Sequence, residues 1–382
     1  MLGGVECIHL WAHLHFLFVM KRTSPTIFIL ISLLAVSACT GDKELLVAYS
    51  DPRIAYEGRI DTTRIDAAEL YWSGTSIKIN FQGASVEALI RESRGDNYYN
   101  VIIDEDSLFI LRPDTLKQYH MLASNLSSGL HSVELFKRTE WDRGTGEFYG
   151  FRIGGKAKVD PKSLAKKRKI EFYGNSITAA YAVEDFSGED SPDSTFTNNY
   201  LSYSAIIARH YRAEYSCICK SGIGIQISWF PQIMPEIYDL INPGEPSSTW
   251  DFSLYQPDIV VINLMQNDSW LVHMPDYEEF QARFGQVAPN EVAIVEAYRQ
   301  FVANIRKHYP EANIICALGN MDATREGSAW PGYVLRAISQ LNDNRIYAHF
   351  VSYKDSPGHP TIGEQEDMAK SFIGFIDEHI DW

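Results

Sequence analysis

The chain has 382 residues, 45% of them hydrophobic and 22% charged. That is enough apolar material for two packed domains and excludes a globally disordered chain. Its 49 acidic against 34 basic residues leave a net charge of −15. This argues against a nucleic-acid partner, whose phosphates need a basic face, and suits a neutral substrate.

At the start, "MKRTSPTIFILISLLAVSACTGDKE" carries Lys21 and Arg22, then an apolar run over residues 27–36, then small residues before Cys39. This is the pattern of a secretory signal. The run is shorter than the roughly 20 apolar residues of a membrane-spanning helix. Val36-Ser37-Ala38-Cys39 resembles a bacterial lipobox, which makes Cys39 the expected lipidation site. The expectation is a secreted protein held at the bacterial cell envelope only by a lipid anchor, with residues 1–45 as upstream extension, signal peptide and tether. A start at Met20 would leave residues 1–19 as the extension.

Residues 46–160 show a period of two. "SIKINF" points Ile77, Ile79 and Phe81 to one side, and "SVEALI", "NVIIDED", "SLFILR" and "HSVELFKRTE" are further short strands with turn residues between them. No helix of ordinary length fits here, and the pattern predicts an antiparallel β-sandwich.

The basic, polar stretch "PKSLAKKRK" then leads into residues 161–382, where the rhythm changes. Strands are expected at 169–173, 214–219, 258–264, 313–318 and 346–351, with helical segments between them. "NEVAIVEAYRQFVANIRKHYP" puts Val292, Ile294, Val295, Tyr298, Phe301, Val302 and Ile305 on one stripe and closes at Pro310. "TIGEQEDMAKSFIGFIDEHI" has Thr361 as a cap, with Glu364 or Gln365 near the third helical position. Such alternation predicts an α/β domain with a parallel sheet covered on both faces. Active sites of such sheets lie beyond the carboxyl ends of the strands. Cys217 and Cys219 share one strand face and read as core; the five cysteines form no disulfide framework.

Four short pieces fall at those strand ends: Gly174-Asn175-Ser176, Ser221-Gly222-Ile223-Gly224, Gln266-Asn267-Asp268 and Gly358-His359-Pro360. In isolation each is ordinary turn or cap chemistry. In this order they resemble the blocks of the SGNH (GDSL-type) hydrolases. "YGNSIT" matches the nucleophile block, with Asn175 where most members carry Asp, and "GHPTIGEQEDMA" matches the terminal His-Pro block. The first half, through "YWSGTSIKINFQGASVEALI", "YYNVIIDED" and "GEFYGFRI", is similar to the domain that precedes the catalytic domain in carbohydrate esterase family 2. The resemblance spans roughly residues 50–380. It implies a three-layer, flavodoxin-like SGNH hydrolase domain with a parallel sheet, preceded by an antiparallel jelly-roll sandwich.

It also implies the chemistry. A serine hydroxyl is a poor nucleophile and needs a base; an imidazole with an ordinary pKa of about 6.5 suits that role. His359 would take the Ser176 proton and return it to the leaving alkoxide. The backbone N–H groups of Ser176 and Gly222 and the side-chain amide of Asn267 would hold the oxyanion, with Gly224 as a rival for the second place. Two positions depart from the family pattern: Met265 stands for a glycine, and Ser356 for the aspartate that usually precedes the histidine by three residues. Either Asp355 completes a triad or a backbone carbonyl orients the imidazole in a dyad. Trp270 is either a wall of the substrate pocket or a core tryptophan. The insert at residues 183–199, rich in Asp, Ser and Gly, is expected to overhang the site as a loop.

No metal spacing and no Gly-rich phosphate loop occurs, so neither metal nor cofactor is expected. The implied function is removal of O-acetyl groups from a plant or algal polysaccharide or oligosaccharide. The alternatives are an acyl esterase or lipase acting on a non-carbohydrate ester, and a non-catalytic surface glycan-binding lipoprotein. Nothing in the sequence sets the oligomeric state.

Overall fold

The structure is a computed structural model that describes residues 44–161 and 166–382. The signal-like segment and Cys39 lie outside the described residues.

The first half consists of two antiparallel sheets. One runs in the order Ile60–Asp61, Ala68–Leu70, Gly146–Gly154, Ser85–Glu92, Gln118–Ser124, with Leu45–Ala48 also paired to Gly146–Gly154. The other runs Lys158–Val159, Ser76–Gln82, His131–Lys137, Tyr99–Ile103, Ser107–Leu111, with Ala55–Glu57 also on Ser76–Gln82. Alternating side chains fill the space between them. Ile77, Ile79 and Phe81 from one sheet meet Val86, Ala88 and Ile90 from the other, as the period of two predicts.

The second half is built on a five-stranded parallel sheet in the order Glu214–Cys219, Lys169–Gly174, Ile259–Asn263, Asn313–Leu318, Ile346–Phe350. Numbered within this sheet the order is 2-1-3-4-5, the flavodoxin-like winding whose switch point lies beside the first strand. Ile170 and Phe172 face the layer formed by helices Tyr203–His210 and Ile362–His379. Val260, Ile262 and Ile314 face the opposite layer of Glu291–His308 and Trp330–Ser339. Six of the seven expected stripe residues on Glu291–His308 are buried; Val292, in its first turn, is 75% exposed. Thr361 caps the last helix, and Glu364 completes the capping box. Helices Gln266–Leu271 and Glu278–Phe284 were not expected from the sequence; both are short and begin without a side-chain cap.

The two halves share a buried contact. Arg59, from the first half, is fully buried against the second. Its guanidinium donates to the Tyr238 carbonyl at 2.5 Å, to Tyr173 Oη at 3.0 Å and to Glu171 Oε1 at 3.2 Å. Glu171 also accepts from Ser216 at 2.9 Å, Tyr173 at 2.5 Å and Tyr309 at 2.6 Å. Every charge in this cluster therefore has a partner, the condition under which burial is tolerated.

Candidate active site

The last residue of the strand Lys169–Gly174 has no room for a side chain. A Cβ on Gly174 would lie 2.0 Å from Thr178 Oγ1. Asn175 follows in extended conformation, and its Oδ1 accepts the Ile177 N–H at 3.0 Å. The amide oxygen thus does the capping that a carboxylate would do. Ser176 begins the one-turn helix Ser176–Ala179, where its own N–H has no intrahelical acceptor.

The loop after Glu214–Cys219 separates the two rival glycines. Gly222 adopts φ +84°, a left-handed conformation suited to glycine, and lines a cavity of about 610 Å³ together with Ser176. The Gly224 N–H instead donates to Ser228 Oγ at 3.0 Å, and a Cβ there would meet the Ile227 carbonyl at 2.0 Å. The carboxylate of Asp268 holds this loop by accepting N–H groups of Ile225 at 3.0 Å, Gln226 at 2.7 Å and Ile227 at 3.4 Å. Its burial pushes the carboxyl above the usual range despite those donors.

Asn267 reaches the same cavity. Its Oδ1 accepts from Trp229 Nε1 at 3.1 Å, and its Nδ2 donates to the Ile223 carbonyl at 2.8 Å. One amide hydrogen is left over, since a primary amide has two. Met265, in the family's glycine position, takes φ +79°, so the turn keeps its left-handed geometry without glycine. Trp270 also lines the cavity, with Nε1 on Asp322 Oδ2 at 3.0 Å.

His359 lines the cavity too. Its Nδ1 pairs with Asp190 Oδ2 at 2.6 Å, and its backbone N–H donates to Asp190 Oδ1 at 3.1 Å. This corrects the expectation for Asp355. That residue sits at φ +50° with its charge acting on Arg325, and it makes no hydrogen bond to His359 among the described residues. Ser356 is likewise committed elsewhere. It accepts from Lys354 Nζ at 2.7 Å and donates to Glu364, a network that holds the loop before the histidine. Partial burial alone would raise the Asp190 carboxyl. The hydrogen bonds and charge of His359, with a smaller push from Lys354, outweigh it and hold the group below the usual carboxylate range. Tyr181 packs on the imidazole with ring centroids 4.7 Å apart.

The structure thus brings Ser176, Gly222, Asn267, Trp270 and His359 to one hollow, and replaces Asp355 by Asp190. Among the described residues no hydrogen bond joins Ser176 Oγ to His359; such bonds are often loose before substrate binds. Sequence reasoning missed Asp190 and Tyr181. The one signal for Asp190 was the acidic insert at 183–199, where nothing set it apart from Asp185 or Asp193. Among the described residues no group of three or more His, Cys, Asp or Glu is placed to hold a metal.

Comparison with known proteins gives the family. Residues 56–162 match the family described as the N-terminal region of carbohydrate esterase 2. A cellulase/esterase, CelE, of Acetivibrio thermocellus is 33% identical over 346 residues, 87% of this chain; the chain spans 40% of that relative's length. An acetylxylan esterase / glucomannan deacetylase of Cellvibrio japonicus is 25% identical over 362 residues, 91% of this chain and 96% of the relative. The solved structure of a family two carbohydrate esterase from Clostridium thermocellum, in complex with cellohexaose, is 31% identical. It covers 85% of this chain and 98% of its own, with a TM-score of 0.75. The chain belongs to carbohydrate esterase family 2, a family of carboxylic ester hydrolases with an SGNH-type fold.

Proposed function

We propose that the chain is a serine esterase that removes O-acetyl groups from a polysaccharide or its oligosaccharides through an acetyl-enzyme on Ser176. His359 accepts the serine proton as Oγ attacks the acetyl carbonyl, then delivers it to the sugar alkoxide as that leaves. Asp190 holds the imidazole with Nδ1 protonated, so that Nε2 is the basic nitrogen. The N–H groups of Ser176 and Gly222 and the free amide hydrogen of Asn267 receive the oxyanion. Loss of one such donor typically costs about 10²–10³ in rate. Water activated by His359 then releases acetate. No step calls for a cofactor.

The observation that carries this reading is the convergence of Ser176, His359 with Asp190 behind it, and Asn267 on one cavity. The sugar and acetyl preference is drawn from the relatives, one named an acetylxylan esterase and one solved with cellohexaose. The test is acetate release from a panel of acetylated glycans, with an aryl acetate as a simple reporter. Wild type should turn over at least one glycan and Ser176→Ala none. Equal release by the two proteins, or glycan binding without turnover by wild type, would remove the esterase reading.

The lipobox-like segment before Cys39 supports a secreted, lipid-anchored protein. Labelled palmitate should enter the wild-type chain in a bacterial host and not the Cys39→Ala chain; equal labelling would rule the anchor out.

A further inference from the structure

Two loops that serve the site are gripped by the antiparallel half. The first is the insert that carries Asp190. Its tip, residues 186–189, is exposed, with Phe186 85% accessible. A loop with an exposed tip has little packing of its own to fix it. Its two feet are joined by Arg138, which follows strand His131–Lys137 and is fully buried. At one foot the guanidinium pairs with Glu184, which also accepts from Asn198 Nδ2 at 2.9 Å. At the other foot Arg138 donates to the carbonyls of Thr195 at 3.1 Å and Thr197 at 3.4 Å, and its own carbonyl accepts the Asn199 N–H at 3.1 Å. Tyr98 and Arg143, also from the first half, add bonds to Thr195 at 3.0 Å and to the Pro192 carbonyl at 3.3 Å.

The second is the loop that carries Gly222. Glu140, 1% exposed, accepts both the N–H and the hydroxyl of Ser221, the latter at 2.9 Å. Lys220 lies 3.8 Å from the same carboxylate and 3.1 Å from Asp142. A buried carboxylate on the residue before Gly222 fixes the backbone just ahead of the proposed oxyanion donor.

Buried ion pairs contribute little net stability compared with apolar packing. What they supply is direction: a guanidinium has a rigid fork of donors and matches one arrangement of acceptors. Here the fork matches both feet of the loop that holds the partner of His359.

We propose that Arg138 and Glu140, both from the antiparallel half, are positioning residues of the esterase centre. Arg138 sets the Asp190 loop, and through it the His359 imidazole; Glu140 sets the Gly222 loop. The role assigned to each loop rests on the reading of the site given above. The first half is then a working part of the catalytic centre.

The experiment compares the full chain with Arg138→Lys, Glu184→Gln and Glu140→Gln, and with Arg152→Gln, which touches an outer-face pair with Glu87, as a control. Melting temperature and circular dichroism identify the folded variants. Glu184→Gln spares the buried guanidinium, and so keeps the test open if Arg138→Lys fails to fold. Two readouts follow: kcat and KM on an aryl acetate, and the low-field proton resonance of the His359 Nδ1–H bonded to Asp190. The expected result is kcat lowered about 10²-fold with KM nearly unchanged, the cost of slight misplacement at a reacting centre. The low-field resonance should vanish in Arg138→Lys and Glu184→Gln and persist in Glu140→Gln, while the control keeps both. Folded variants with wild-type kcat and an intact resonance would overturn the proposal, as would an equal loss of kcat in the control. A wild type without turnover whose resonance still responds to Glu184→Gln would sink the esterase reading and keep the positioning role.

Discussion

Replacing Asp190 by Asn takes a negative charge from behind His359 without changing the shape of the side chain. In the proposed mechanism the amide could no longer stabilise the imidazolium that forms as Ser176 attacks. Asp190→Asn should lower kcat/KM on an aryl acetate by about 10²-fold or more, whereas Asp355→Asn should stay within about threefold of wild type. The reverse ranking would return Asp355 to the centre. This pair also shows what the sequence could say. Ser176 and Asn267 were legible because they follow the ends of two neighbouring strands by two and four residues; His359, nine residues beyond Ile346–Phe350, was legible through the His-Pro block it resembles. Asp190 arrives from an insert whose path depends on Arg138 and Glu184, residues 46 apart in sequence, and no local rule registers that. The choice between Gly222 and Gly224 turns on a nearer contact: the Ser228 hydroxyl, four residues on, accepts the Gly224 N–H, while Gly222 lines the cavity.

The last helix and the edge strand beneath it are held partly by one titratable ring. His349, in strand Ile346–Phe350, lies between Phe372 and Phe375 of helix Ile362–His379, with Nε2 2.9 Å from Ser371 Oγ. Burial, with a further push from His379, lowers it from the usual 6.5 to about 4. The folded ring is therefore neutral where the unfolded one is already protonated. Between pH 6.5 and about 4 the unfolded chain binds more protons, so stability falls as pH drops through that window. His349→Phe should flatten this part of the stability curve in urea titrations at stepped pH; an unchanged slope would mean that the ring is not titrating. At this scale the sequence was largely readable. Helix Glu291–His308 and the Thr361 capping box follow from stripe and cap. Helix Gln266–Leu271 does not, because it starts from a left-handed Met265 and is too short to show a period.

Across the whole molecule the last antiparallel strand is Lys158–Val159 and the first parallel one Lys169–Gly174, and the sequence shows its change from period two to strand–helix alternation near residue 160. It could not show how firmly the two halves are joined, since Arg59 and Glu171 are 112 residues apart and carry no mark of pairing. Arg59→Met should destabilise the protein by about 3–5 kcal/mol, because it strands a buried carboxylate. Adding Glu171→Gln should recover a good part of that in denaturant melts. A single substitution costing less than about 1 kcal/mol would show that water reaches the pair. Glu171 stands on the very strand whose far end leads to the proposed nucleophile. Amputating the first half would take the cation from that carboxylate and leave it only hydroxyl donors, five positions upstream of Ser176. The esterase cannot be whittled down to its α/β portion: the cut would be felt first at the root of its own reactive turn.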